Sequence, residues 1–185
     1  MLTNHVKIIV KDIGGAFAMK AKDVALFFLL KDKSGTVFNE NLVGKNGHTF
    51  YEGNAKLNKF LQLANNIYIA KTGKPLIDDS FLAYDNGGVV QSVQKEYAFL
   101  RNHKKGYVKP SFDHETEKYL DTFYKVFKNV SVDELIELSH EDEAWVEKHK
   151  NGTNMSLLHM EPQKHYAQYK KQYHDILQVM EEMGA

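Results

Sequence analysis

The sequence has no cysteine and only three prolines in 185 residues. Without thiols there is no disulfide framework, no thiolate nucleophile and no cysteine-ligated zinc, a pattern that suits a reducing compartment. Long apolar runs are also missing. The longest, Val24 to Leu30, has seven residues, far below the roughly 20 that span a bilayer. Charge of one sign is not in surplus, since Lys+Arg 24 equals Asp+Glu 24, and generic polyanion binders need an excess of Lys and Arg. A secretory leader is not expected, because the apolar block Val6–Val10 is short and carries Lys7. What these absences leave is a cytoplasmic, soluble protein with no membrane association. Its hydrophobic fraction is 43 %, and a chain of this mass buries roughly 70 % of its unfolded surface, ample for one core.

Catalytic templates are lacking as well. Gly87-Gly88 stands without the Lys and Ser/Thr of a phosphate loop, and no Gly-x-Ser-x-Gly elbow is present. The nine histidines raise the question of metal. His114 and His140 lie beside acidic residues, but neither forms His-Glu-x-x-His, the spacing that stacks two imidazoles on one helix face. His159, His165 and His174 fall out of phase, so most histidines read as surface residues. His140, Asp142 and Glu143 form the one cluster worth testing for metal. No cofactor is expected.

What the sequence does contain is helical periodicity. Val24 to Leu29 is apolar nearly all round, which favours a buried helix over Lys22–Lys31, with Asp23 in its first turn. The strongest pattern runs from Ala55 to Lys71. Leu57, Phe60, Leu61, Ala64, Ile67 and Tyr68 share one face, and Asn58, Lys59, Gln62, Asn65 and Asn66 fall opposite. Gly73 and Pro75 end it. Asp85-Asn86-Gly87-Gly88 is a turn, and helices follow around Val93, Tyr97 and Leu100, then Leu120, Phe123 and Phe127. Ser131-Val132-Asp133-Glu134 is a capping box that starts a helix carrying Leu135 and Ile136. A last helix is expected from Pro162 to Glu182. Strand signals are few. His48–Tyr51 is expected to pair with Thr36–Phe38 in a small hairpin, and His5–Lys11 to form a short strand. The fold class is therefore mainly α: a compact single-domain helical bundle of five to seven helices with at most a small β hairpin. Met19 has a sequence before it that is compatible with a ribosome-binding site, so Met1 and Met19 are both candidate starts. Residues 1–18 read as an N-terminal extension, 19–150 as the helical domain, and 151–185 as a C-terminal helix packed on it.

Charge is locally uneven. Asp133 to Glu147 holds Asp133, Glu134, Glu137, Glu141, Asp142, Glu143 and Glu147 with no Lys or Arg, while Lys95 to Lys109 is basic. A solvated face is the simple reading of each run. The sharper one is that the acidic face docks a basic partner.

Three segments resemble the Panacea domain family, the SocA-like antitoxins also described as phage-associated proteins. Asp23-Val24-Ala25-Leu26-Phe27-Phe28-Leu29 is similar to that family's opening helix. Lys56-Leu57-Asn58-Lys59-Phe60-Leu61, Thr72-Gly73-Lys74-Pro75-Leu76 and Gly87-Gly88-Val89-Val90 resemble its Lys-Leu-x-Lys-Leu-Leu helix, its Thr-Gly-Lys-Pro-Leu turn and its Gly-Pro-Val-Val segment. Leu135-Ile136-Glu137-Leu138-Ser139-His140 with Trp145 is similar to its Leu-x-x-Leu-Thr-His…Trp signature. The chain departs from the pattern at Gly88, where the family has Pro, and at Tyr84, where it has Trp. The resemblance implies a non-catalytic protein in a toxin–antitoxin system that neutralises a toxin, usually the product of an adjacent gene, by direct protein–protein binding. One branch presents its toxin to a Clp-type protease. The partner-binding candidates are then Glu141, Asp142, Glu143 and Trp145 on the acidic face, with Asp85 and Asn86 at the turn. His140 is expected to bond locally and fix the Ser139–Trp145 corner. The alternative is a small helical nucleic-acid-associated phage regulator acting through Arg101, Lys104 and Lys105.

Overall fold

The computed structural model describes residues 18–45, 47–149, 156–158 and 162–185. The strand expected at His5–Lys11, the extension before Met19 and His159 lie outside the described residues. The fold is mainly α. In chain order it runs α1 (Ala21–Lys31), β1 (Leu42–Lys45), β2 (His48–Tyr51), α2 (Glu52–Thr72), β3 (Phe81–Tyr84), β4 (Gly87–Val89), α3 (Gln91–Asn102), α4 (His114–Phe127), α5 (Val132–His140), α6 (Glu143–Lys148), β5 (Ser156–Leu158), α7 (Pro162–Gln172) and α8 (His174–Glu182). Two elements bring the helices among the described residues to eight, against the expected five to seven. Six residues after Asp142 form the short α6, and the expected last helix divides at Tyr173 (φ −99°, ψ 16°), which lets α8 turn against α4.

The 21-residue α2 is the axis of the molecule. It ends as its sequence dictates, with Gly73 in the left-handed region (φ 72°) and its N–H donating to the Ile69 carbonyl. Leu57, Phe60, Leu61, Ala64 and Ile67 are fully buried. Phe60 meets Phe28, Phe38 and Phe123 edge to face at 5.4, 5.1 and 5.4 Å, the geometry that aligns ring edges with ring faces.

The polar side of α2 does not face water. Asn58, Lys59, Gln62, Asn65 and Asn66 are each 1 % exposed or less. Other segments cross this helix on its polar side too, and their backbone groups need partners that water cannot supply there. Asn58 Oδ1 accepts from the Val90 N–H at 3.0 Å, Gln62 Oε1 from Gly88 at 2.7 Å, and Asn65 Oδ1 from both Leu76 and Ile77 at 3.0 Å. Lys56 Nζ donates to the Lys128 carbonyl at 2.9 Å. The stripe is a set of brackets for loops, and its polarity imitates that of a solvated face.

Among the described residues, two small antiparallel sheets complete the fold. In the hairpin β1–β2, Leu42 pairs with Tyr51 and Lys45 with His48. The partner of His48–Tyr51 is thus Leu42–Lys45. The expected partner Thr36–Phe38 instead wraps the buried Asp32 carboxylate, which accepts the N–H groups of Thr36 and Phe38. The second sheet has the order β4-β3-β5.

Candidate functional site

The region of interest is the corner where α5 gives way to α6. Its first helix starts on the expected capping box: Ser131 Oγ accepts from the Glu134 N–H at 3.2 Å, and Glu134 Oε2 from the Ser131 N–H at 3.0 Å. This fixes α5 with Leu135 and Ile136 inward and Asp133 and Glu137 outward. Those two carboxylates share one cation, Lys45 Nζ at the hairpin tip, at 3.1 Å each.

Asp142 begins α6 as its N-cap. One carboxylate oxygen accepts from the Ala144 N–H at 2.9 Å and from the Tyr169 hydroxyl at 2.7 Å. The other accepts from Gln62 Nε2 at 2.9 Å and Asn66 Nδ2 at 2.8 Å. The side chain is fully buried, so it ties α2, α6 and α7 together and offers nothing to a docked partner. Burial and this carboxylate push the Tyr169 hydroxyl far above its ordinary value. Near it, burial pushes the Lys59 amine down to about 7, with the Asp142 charge opposing the shift. Lys59 Nζ donates to the Gly88 carbonyl at 2.7 Å.

Trp145 is half-buried between two imidazoles. His140 and His149 stack on its two sides at 4.3 Å each, nearly parallel. Its indole N–H donates to the Tyr84 carbonyl at 2.9 Å. All three rings are anchored on the β3–β4 turn. His140 Nε2 donates to the Asp85 carbonyl at 2.9 Å, which fixes the proton on that nitrogen because a carbonyl only accepts. The Asp85 carboxylate meets His149 Nε2 and His48 Nε2, both at 2.9 Å. The bond from His149, then that from His48, holds the Asp85 carboxyl below the usual carboxylate value, while burial pushes the His140 imidazole down. Asn86 is half-buried on the same turn.

The acidic candidates therefore separate. Glu141 and Glu143 are exposed, and among the described residues neither pairs with a cation. Val146 beside them is 56 % exposed. Asp142 faces inward, Trp145 and Asp85 are engaged with histidines, and Glu147 pairs with Lys164 at 2.5 Å. The cluster singled out for a metal test is not brought together: His140 is turned to Asp85 and Asp142 to the α2 amides. Among the described residues no group of three or more His, Asp or Glu side chains is placed to hold a metal ion. Two of the three cations of the nucleic-acid reading are committed to the scaffold. Arg101 pairs with Glu40 at 2.7 Å and donates to the Phe38 carbonyl, and Lys104 donates to the Asp32 carbonyl at 2.9 Å.

Several site residues were not singled out from the sequence. His149 and His48 carry no motif, and Lys59 sits on the polar face of α2, where nothing in the local pattern marks it as buried. His165, read as a surface residue, is 3 % exposed and stacks on Tyr169. One available signal was the Asp142-Glu143-Ala144 run, which has the form of an N-cap and first turn.

Residues 57–146 match the family model described as antitoxin SocA-like, Panacea domain. The matched span runs from Leu57 on α2 to Val146 on α6 and so contains the α5–α6 corner and the turn on which it is anchored. No curated protein and no solved structure matches the chain. No helix among the described residues is long and apolar enough to cross a membrane.

Proposed function

We propose, on the premise of the Panacea-domain match over residues 57–146, that this protein neutralises a protein toxin by binding it directly, without making or breaking bonds in it. The toxin on this reading is the product of an adjacent gene. Neutralisation by occlusion needs a rigid body and a complementary patch and no reacting group. The observation that carries the reading is the pair Glu141 and Glu143, exposed with no cation among the described residues and adjacent to exposed Val146. Asp133 and Glu137, sharing a single lysine, extend the same negative surface along α5. A toxin that acts on nucleotides or RNA presents a basic cleft, and such a field speeds encounter and disfavours wrong partners. The nucleic-acid alternative has less support, because Arg101 and Lys104 serve the fold.

The test is growth rescue and direct binding with the double variant E141K/E143K. We expect the toxin complex to weaken roughly tenfold, about 1.4 kcal/mol, with most of the loss in association rate. Unchanged affinity and rescue would remove this face from the interface. Toxin that disappears from cells with a Clp-type protease, and persists without it, identifies delivery to the protease as the mode. Persistence in both identifies occlusion.

A further inference from the structure

The hairpin β1–β2 stands off the body of the molecule. None of its described residues is buried, and Leu42 and Tyr51 are 64 % and 50 % exposed. Among the described residues its tip is held by side-chain pairs, Lys45 to Asp133 and Glu137 and His48 to Asp85. Beneath it lies a cleft of about 480 Å³. β2 forms one wall, Asn54, Ala55, Asn58 and Lys59 of α2 another, and Tyr84, Asp85 and Val89 a third.

The chemistry of this cleft restricts its occupant. The amide and amine groups that α2 presents to it are already bonded: Asn54 donates to the Gln94 carbonyl, Asn58 donates to Asn54 and accepts from Val90, and Lys59 donates to Gly88. What is left to cover is apolar surface from Phe50, Tyr51, Tyr84, Ala55 and Val89. The charges around it are mainly negative. Asp85 lies in the wall, Asp133 and Glu137 at the hairpin tip and Glu52 at its base, against Lys45 and Lys59. An occupant therefore brings a flat apolar group with positive charge next to it.

We infer that the cleft beneath the β1–β2 hairpin receives an aromatic side chain carried on a basic segment of the toxin. This rests on the antitoxin reading and extends it from a charged face to a specific receptor. Aromatic anchors filling desolvated pockets are the usual centre of a strong interface.

The experiment titrates the ¹⁵N-labelled full chain with three phenols: tyramine (cationic), p-cresol (neutral) and 3-(4-hydroxyphenyl)propionate (anionic). We expect saturable shifts at millimolar concentration in the amides of His48–Tyr51, Asn54–Lys59 and Tyr84–Asn86, with tyramine strongest and the propionate weakest. Ala55→Trp, and independently Thr49→Trp on the exposed strand, should each weaken tyramine at least fivefold and reduce toxin neutralisation, with folding checked by circular dichroism. Tyramine that gives no saturable shift in these amides, or a propionate that binds as well, overturns the inference. Folded tryptophan variants that neutralise the toxin as well as the parent overturn it while the antitoxin reading stands. A parent chain that binds tyramine but neutralises no toxin overturns the toxin as occupant and the antitoxin reading with it.

Discussion

Asp142→Ala is the substitution whose cost the structure specifies most closely. It removes the N-cap of α6, which costs about 1 kcal/mol. It also removes the short-range acceptor of three buried donors, on Gln62, Asn66 and Tyr169, at about 1–3 kcal/mol each before any water enters, while Gln62 and Asn66 keep long bonds of 3.5 Å to the Ser139 carbonyl and the Tyr173 hydroxyl. Against this, a buried charge is no longer desolvated, which places the net loss toward the low end, about 4 kcal/mol. Typical domains have only about 5–15 kcal/mol in total, so the variant should be visibly marginal, with a melting temperature lower by about 8–16 °C for a chain of this length. Asp142→Asn keeps one acceptor oxygen and should lose about half as much. Glu141→Lys and Glu143→Lys, on either side, should stay within about 0.5 kcal/mol of the parent. The assay is urea unfolding followed by far-ultraviolet circular dichroism, compared at constant m-value. A loss below about 1 kcal/mol for Asp142→Ala would refute the claim that this carboxylate ties three helices together.

Two further expectations follow from the same interior. The Lys59 amine titrates near 7 in the folded chain and at its ordinary, higher value in the unfolded one. The unfolded state therefore binds more protons between those values, so stability should climb as pH rises from about 7 toward 10. The buried hydroxyls of Tyr97, Tyr119, Tyr169 and Tyr173 are all raised, so above pH 10 the unfolded state loses protons first and stability should fall. Urea midpoints measured against pH should peak between about 8 and 10, and Lys59→Met should flatten the rising limb. An unaltered limb would show that Lys59 is not its source. Gly87 has φ +96°, and a Cβ there would lie 2.2 Å from Ser139 Oγ and 2.3 Å from Lys59 Nζ. Gly87→Ala should cost about 3 kcal/mol by combining a strained backbone with overpacking. Differential scanning calorimetry showing an unchanged melting temperature would contradict this.

What was readable in the sequence is what depends on neighbours in the chain. The capping box at Ser131, the left-handed Gly73, the apolar face of α2 and the turn at Asp85 are local signals, and each stands in the structure where it was expected. The burial of α2's polar stripe is not legible in the sequence, because period alone cannot distinguish a face that meets water from one that meets loop backbone. The hairpin partner was misplaced because Thr36 and Phe38 look like strand residues, while the buried Asp32 takes up their N–H groups. At the candidate site, Glu141 and Glu143 were identified from composition, but Asp142 between them points inward, and only packing against Gln62, Asn66 and Tyr169 reveals that. The departure at Gly88 also has a structural reason. Its N–H is the donor to Gln62 Oε1, and a proline there would remove it.

The central claim is that this chain acts by stoichiometric occupation of a toxin. The most direct measurement is titration of a fixed amount of the active toxin with the purified full chain. Toxin activity should fall linearly and be abolished near a fixed small-integer ratio, with both chains recovered intact from the complex. Inactivation by a small fraction of an equivalent, or full toxin activity in the presence of a large excess, would contradict it.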